Sequence, residues 1–285
     1  LNPDSPVENE YLLPSATLRF GYAKDDEGEN KQSISLAYGR TLARPTFYEY
    51  APIRTVDQST GLAIVGNQEL VDTDIDNYDA RWSWEPTPGE SVALSVFHKN
   101  MTNPIVTTVD SISSSNFERS WQNANNGSLQ GAEIELRKYL EESNTWLLTT
   151  NFTYIDSVIS GVLDKDTGLP IGSASVFEGQ PTYIFNINLG FDHENWGLTS
   201  NLIYNWTSEI LTDISADSAV PNIFLEPQHS FDFVISKTFN DSLKFKIAVK
   251  NIFDNPVRKF YEGEDLTFEE YRKGRSYSFG LSYDF

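Results

Sequence analysis

Residues 183–191 read YIFNINLGF, a stretch in which bulky apolar side chains occupy every second position. Tyr183, Phe185, Ile187, Leu189 and Phe191 form the apolar set, and asparagine or glycine holds three of the four positions between them. Successive side chains of a β-strand point to opposite faces of the sheet. The stretch therefore predicts a strand with one apolar face and one polar face.

The same alternation recurs along the chain, most clearly at 198–206, 243–249 and 277–285. With its weaker copies it predicts about eleven strands of roughly ten residues, long enough to cross a bilayer at a tilt. The weaker copies lie at 18–22, 34–38, 78–84, 92–96, 132–136, 146–154 and 231–235.

Connections between these strands alternate between short and long. This alternation is typical of outer-membrane barrels. We expect the long loops to be irregular, and the short turns to lie on the same side as the carboxy terminus. The short turns are at 25–30, 86–90, 141–144, 192–196 and 239–242, and the long loops at about 44–74, 104–126, 159–181, 209–226 and 254–273.

Two folds share this alternation, a soluble β-sandwich and a transmembrane β-barrel. The barrel is favoured because charges such as Glu133, Glu135 and Arg137 follow one another on the polar face, which suits a hydrated lumen. Aromatic residues also end the apolar faces, as membrane interfaces require. They are Trp82, Trp84, Trp146, Trp196, Trp206 and Tyr283.

The predicted fold class is therefore all-β, an antiparallel transmembrane β-barrel. The alternation alone assigns one face of each strand to lipid and the other to the lumen. We expect Phe185, Ile187, Leu189, Phe245, Ile247, Phe279 and Leu281 to face lipid, and Asn186, Asn188, Lys244, Lys246 and Ser278 to face the lumen.

Composition excludes several functions. The net charge of −20 argues against nucleic-acid binding, which requires Lys and Arg to neutralise phosphates. The chain has no cysteine, so disulfides and thiolate chemistry are excluded. The sequence contains no run of 18 apolar residues, so it predicts no transmembrane helix.

Catalytic and metal-binding patterns are not found. His98, His193 and His229 lack a metal-binding spacing, and the sequence contains no nucleophile elbow or phosphate-binding glycine loop. We expect no enzymatic activity, no cofactor and no metal site. A hydrolytic outer-membrane barrel and a passive porin-like barrel remain alternatives, and the acidic stretch DTDIDN (72–77) leaves calcium binding open.

Several segments, in order along the chain, resemble the TonB-dependent receptor family. This resemblance implies a 22-stranded barrel with an amino-terminal plug inside, of which this chain would be roughly the last eleven strands, the carboxy-terminal half. Residues 1–285 would supply the carboxy-terminal strands, with no plug and no TonB box. The segments are RTLARPTFYEYAP (40–52), GNQELVDTDIDNYDARWSWEP (66–86), SVFHKNMTNPI (95–105), NNGSLQGAEIELRKYL (125–140), TNFTYIDS (150–157), VKNIFDNPVRKFYEG (249–263) and GRSYSFGLSYDF (274–285).

The resemblance also implies a function. Such receptors lie in the bacterial outer membrane, in contact with its lipid, and import a scarce nutrient. The solute could be an iron chelate, cobalamin or a glycan. TonB would act through the plug, and the barrel-assembly machinery would recognise the final aromatic strand with Tyr283 and Phe285.

Ligand recognition is expected in the long loops. Aromatic rings stack on sugar or chelate rings, and arginine pairs with carboxylates. Packing among the loops themselves is the competing interpretation for each of these residues. The candidates are Phe47, Tyr48, Tyr50, Arg54, Phe117, Arg119, Trp121, Phe260, Tyr261 and Tyr271.

The expected number of strands is odd, which places the two ends of the sheet on opposite sides of the membrane. Single-chain bacterial barrels normally have even counts. We therefore expect that residues 274–285 do not pair with residues 11–24, and that this chain alone is not a closed importer.

Overall fold

The computed structural model describes residues 10–22, 30–58, 61–113, 116–164, 167–170, 176–216, 220–240 and 242–283. Nearly all of its regular structure is β-strand. In chain order the elements are β1 (Ser15–Tyr22), β2 (Lys31–Ala43), the short helix α1 (Phe47–Tyr50), β3 (Arg54–Val56), β4 (Ala63–Val65), β5 (Thr73–Glu85), β6 (Ser91–Thr102), β7 (Ile105–Ser113), β8 (Asn116–Asn123), β9 (Asn126–Tyr139), β10 (Trp146–Ser160), β11 (Tyr183–His193), a 3₁₀ turn (Glu194–Trp196), β12 (Leu198–Thr207), β13 (Ile210–Ser215), β14 (Ile223–Leu225), β15 (Gln228–Phe239), β16 (Leu243–Lys250), β17 (Pro256–Tyr261), β18 (Thr267–Arg272) and β19 (Ser276–Tyr283).

Eleven long strands form one antiparallel sheet, which we call the wall. Its order is β1-β2-β5-β6-β9-β10-β11-β12-β15-β16-β19, so each strand pairs with the next long strand of the sequence. The predicted strand number and antiparallel arrangement are confirmed. Within the described residues no ladder joins β1 to β19, and these two strands are the edges of the wall.

The register places apolar residues in continuous rows on one face. Phe279 and Leu281 remain 73% and 70% exposed on this face. Because so extensive an apolar surface is unfavourable in water, it belongs against lipid. One row across neighbouring strands consists of Ile34, Trp82, Leu94, Ile134, Phe152 and Phe185.

The opposite face of the wall is polar and more crowded. Residues buried on it include Ala93, Thr153, Ser157, Ser236 and Ala248. Side chains converge on the concave side of a curved sheet and diverge on the convex side, so the polar face is the concave one. Lumen-facing polar residues and lipid-facing apolar residues are therefore arranged as the alternation predicted.

Charges on the polar face are paired across strands. Arg81 donates to both carboxylate oxygens of Glu135, at 2.5 and 2.9 Å, and its guanidinium also reaches Ser95 Oγ at 2.8 Å. The Asn151 amide donates to Glu133 at 3.0 Å. The acidic residues that suggested a hydrated lumen are thus satisfied within the wall.

The short turns lie at one end of the wall. Leu243, which follows one of these turns, pairs with Tyr283 at the end of β19. The carboxy-terminal strand therefore ends on the turn side, as predicted. At another turn Gly197 adopts a φ of 55°, and an added Cβ would lie 2.6 Å from the Thr238 carbonyl oxygen, so glycine is required there.

The expectation that the long loops are irregular is wrong for four of the five. Eight short strands from four of them form a second sheet, in the order β18-β17-β14-β13-β7-β8-β4-β3. Two of its ladders, β7–β13 and β4–β8, are parallel and join different loops. Such pairings between distant segments leave no periodic pattern within either segment. The described residues contain no helix long and apolar enough to cross a membrane.

Candidate ligand-binding loop layer

The second sheet and the segments between its strands form the loop layer, which comprises residues 44–74, 104–126, 159–181, 209–226 and 254–273. Its apolar core joins residues of β7 and β13 to the end of β10. Val106, Ile159, Leu211 and Ile214 are each at most 2% exposed, and Phe177 packs against them. Burial of this size stabilises a defined arrangement of the loops by the hydrophobic effect.

Arg119 links three of the loops. Its Nε donates to Asp213 Oδ1 at 2.8 Å, and its Nη1 lies 3.7 Å from Asp57 Oδ2. The Asp213 side chain is 2% exposed, and its other oxygen has no hydrogen-bond partner among the described residues. A buried carboxylate is costly unless it is paired, so the position of Asp213 depends on Arg119.

Glu178 attaches a fourth segment to the layer. Its two carboxylate oxygens accept hydrogen bonds from the backbone N–H and the hydroxyl of Thr107, at 2.8 and 2.7 Å. Burial raises the pKa of Glu178 to about 7, although these hydrogen bonds oppose the rise. The negative charge of Asp213 raises it further, and Arg119 lowers it.

Several predicted ligand residues pack inside the layer. Phe117 and Tyr261 line one small cavity with Phe268, whose ring meets that of Tyr261 edge-on at 5.7 Å. Burial raises the pKa of the Tyr261 phenol. Phe260 packs against Phe224, with ring centroids 6.2 Å apart. The structure thus places these aromatic groups where they support the layer.

Other predicted residues lie at its surface. Phe47 and Tyr48, on α1, are 71% and 77% exposed, and Tyr271 is 46% exposed. The Thr46–Glu49 capping box holds α1, so these two rings are presented on an ordered turn.

The remaining three candidates differ in their exposure and contacts. Arg54 is exposed and its Nη1 lies 3.1 Å from Glu118 Oε2. Tyr50 is half-buried. Trp121 accepts a hydrogen bond at its backbone oxygen from the Asn67 amide at 2.8 Å, which joins two loops.

A model of the family described as TonB dependent receptor-like, beta-barrel matches residues 3–252. This chain belongs to that family. The match extends from the segment preceding β1 beyond the end of β16, so it includes ten of the eleven wall strands. The wall is accordingly part of a receptor barrel in the outer membrane. Because such barrels have short periplasmic turns and longer extracellular loops, we expect the loop layer to be on the extracellular side.

Solved receptors share the fold at low sequence identity. One is a ferric enterobactin receptor of Pseudomonas aeruginosa in complex with enterobactin, which aligns with a TM-score of 0.60 and 18% sequence identity. The alignment covers 94% of this chain and 40% of the receptor chain. The siderophore receptor PirA of Acinetobacter baumannii aligns with a TM-score of 0.58 and 17% sequence identity. That alignment covers 95% of this chain and 41% of the PirA chain. The chain thus spans about 40% of the length of these receptors. The search of curated proteins found no significant match.

The acidic stretch at 72–77 occupies the extracellular rim of the receptor wall. Asp72 accepts a hydrogen bond from Tyr11 at 2.6 Å, and Asp76 accepts one from Tyr38 at 2.8 Å. Asp74 lies 3.6 Å from Arg40. Among the described residues no three acidic or histidine side chains are grouped to hold a metal ion. The contacts shown for Asp72, Asp74 and Asp76 are thus with neighbouring residues of the rim.

The residues proposed as an assembly signal lie at the end of the wall. Tyr283 ends β19 on the lipid-facing side and is 57% exposed. Phe285 lies outside the described residues. Their recognition by the barrel-assembly machinery stays a prediction.

Sequence reasoning missed Asp213 and Glu178, the two carboxylates at the centre of the receptor's loop layer. Acidic residues are common in these loops, so neither was distinctive. A signal existed for Asp213, which lies within ILTDIS (210–215) between Leu211 and Ile214. An acid enclosed by apolar residues on a short strand indicates a buried ion pair. No comparable signal marks Glu178.

Proposed function

We propose that this chain forms part of an outer-membrane receptor that imports a ferric siderophore by TonB-dependent active transport. The observation that carries the proposal is the loop layer, an ordered eight-stranded sheet on the extracellular side of a receptor wall. Binding residues commonly lie on loops positioned by a rigid scaffold. Because the solved receptors of similar fold include siderophore receptors, we favour an iron chelate over cobalamin or a glycan.

The exposed aromatic residues are the proposed contacts with the solute. Phe47, Tyr48 and Tyr271 present ring faces that can stack on the planar ligand groups of a chelate. The packed candidates, Phe117 and Arg119 among them, would hold the layer in shape around it. In this proposal the chain makes and breaks no bond, and its role is recognition within a rigid wall.

Transport would require further parts of the receptor. Lipid does not tolerate an open sheet edge, because unpaired N–H and C=O groups are costly there. We propose that further strands pair with β1 and β19 and that a plug fills the lumen. TonB would act on that plug, while the barrel-assembly machinery would insert the complete barrel.

The experiment is uptake of radiolabelled ferric siderophores by iron-starved cells, with and without the gene for this protein. We expect uptake of at least one chelate to require the gene and to stop when an uncoupler dissipates the proton gradient. Uptake that persists with the uncoupler would indicate a passive pore. Gene-dependent ester or phospholipid hydrolysis by the purified protein would indicate the hydrolytic alternative.

A further inference from the structure

The loop layer is acidic throughout. In each of its five segments Asp and Glu outnumber Lys and Arg. The excess is distributed over separate loops that the second sheet holds together, so it applies to the whole surface presented to the solute. Such a surface attracts cations and repels anions.

The cations of the layer are largely engaged by carboxylates. Arg258 illustrates the pattern, because its guanidinium donates to Glu226 at 2.6 Å and to Asp265 at 2.7 Å. Lys259 lies 3.1 Å from Glu269. Arg272 is exposed and donates to the backbone oxygen of Asp254 instead, and Lys273, at the base of the last loop beside β19, has no polar partner among the described residues. Similar ion pairs hold Arg44 to Asp72, Arg54 to Glu118, and Arg119 to Asp57 and Asp213.

Several carboxylates, in contrast, are exposed and lack a cationic partner among the described residues. Glu209 and Glu264 line one open cleft together with Phe260 and the paired Arg258. Glu262 and Glu270 are also exposed on the last loop. A solute that enters this cleft meets Phe260 and unneutralised carboxylates, while the guanidinium of Arg258 is already paired with Glu226 and Asp265.

We infer that the face of the solute that contacts these loops carries no net negative charge, so the receptor takes a neutral or cationic ferric chelate. This inference rests on the proposed function. An anionic chelate would need free guanidinium or ammonium groups to offset repulsion. A neutral chelate can use the exposed rings without that penalty, and a cationic group would also gain from the carboxylates and ring faces.

The test compares a neutral ferric tris-hydroxamate with an anionic ferric tris-catecholate of similar size. Binding is measured on outer membranes that contain the full receptor, using radiolabelled iron. We expect the neutral chelate to bind at least about tenfold more tightly, the preference that one or two unfavourable surface charge contacts would produce. The preference should weaken as salt concentration rises.

Two double variants test whether the carboxylates of the cleft cause the preference for the neutral chelate. Glu209→Gln with Glu264→Gln should reduce the preference for the neutral chelate by about threefold or more, since two repulsive charges are removed. Glu141→Gln with Glu142→Gln removes two exposed carboxylates at a turn on the opposite side and should leave the preference unchanged.

The outcomes separate this inference from the proposed function. Equal binding of the two chelates, or tighter binding of the anionic one, would overturn the charge preference while leaving siderophore import intact. Failure of both chelates to bind, together with no gene-dependent uptake of any ferric siderophore, would overturn the proposed function and this inference with it. A preference equally reduced by both variant pairs would refute the role of the loop carboxylates.

Discussion

Arg119 Nε donates a 2.8 Å hydrogen bond to Oδ1 of Asp213, a buried residue that lies 94 positions further along the chain. The pair joins β8 to β13, strands that belong to different loops of the wall. With Asp57 nearby, the guanidinium connects three extracellular segments. One half-buried guanidinium therefore holds three loops of the layer together.

The first prediction concerns this cation. Arg119→Met should destabilise the loop layer by about 3–5 kcal/mol, because Asp213 would stay buried without a partner. Limited proteolysis on intact cells measures the change, and we expect faster cleavage within 104–126 and 209–226. The heat stability of the barrel should change little, since Arg119 lies outside the wall.

Two variants control for this effect. Arg40→Met removes an exposed pair with Asp74, which is worth about 0–1 kcal/mol, so cleavage should barely change. Adding Asp213→Asn to Arg119→Met should recover part of the loss, because the buried charge is removed. Equal cleavage of the Arg40 and Arg119 variants would contradict the linking role of Arg119.

The second prediction concerns pH. The pKa of Glu178 is about 7 in the folded layer, above its ordinary value of 4.5, so folding favours the protonated acid. This contribution to stability is complete below the unfolded pKa and is lost as pH rises through the folded pKa. The loss amounts to at most about 3 kcal/mol. Hydrogen exchange of residues 176–182, corrected for its intrinsic pH dependence, should therefore be slower below neutral pH than above it.

Glu178→Gln provides the control for this pH effect. The amide can accept from the Thr107 N–H and donate to its hydroxyl, as the protonated acid does. Exchange of residues 176–182 should then be nearly independent of pH after the same correction. A variant that keeps the wild-type pH dependence would show that another group is responsible.

The third prediction concerns the two faces of the wall. Phe279, near the middle of β19, lies on the lipid-facing side and is 73% exposed. Phe279→Lys should cost about 2–4 kcal/mol, because it places a charge in the hydrocarbon. The measurement is the temperature at which the folded barrel unfolds in a semi-native gel. Ser278→Lys, at the adjacent lumen-facing position, should cost less, and a larger loss there would reverse the assignment of faces.

The fourth prediction concerns sidedness. The chain has no cysteine, so an introduced thiol is its only one. Leu266→Cys, at a position 61% exposed in the last loop, should react with a membrane-impermeant maleimide on intact cells. Glu142→Cys, in a short turn, should react only after the outer membrane is permeabilised. Labelling of Cys at 142 on intact cells would place the turns outside and overturn the orientation.

Candidate site residues could be chosen from the sequence only by type and position. Aromatic and arginine residues in long loops were chosen for their chemistry, and the structure divides them by burial. Phe47 and Tyr48 are exposed, whereas Arg119 is engaged with Asp213. Burial depends on which other loop covers a residue, and no pattern within one loop contains that information.

The amino-acid sequence by itself determined the wall. Its eleven strands, their faces and the side of the turns follow from alternation and connection length, because a strand exposed to lipid on one face must repeat every two residues. Only the tertiary structure decided the loop layer. Its parallel ladders, the Arg119–Asp213 pair and the raised pKa of Glu178 arise where segments distant in sequence meet. Those contacts depend on the spatial positions that the wall imposes on the loops.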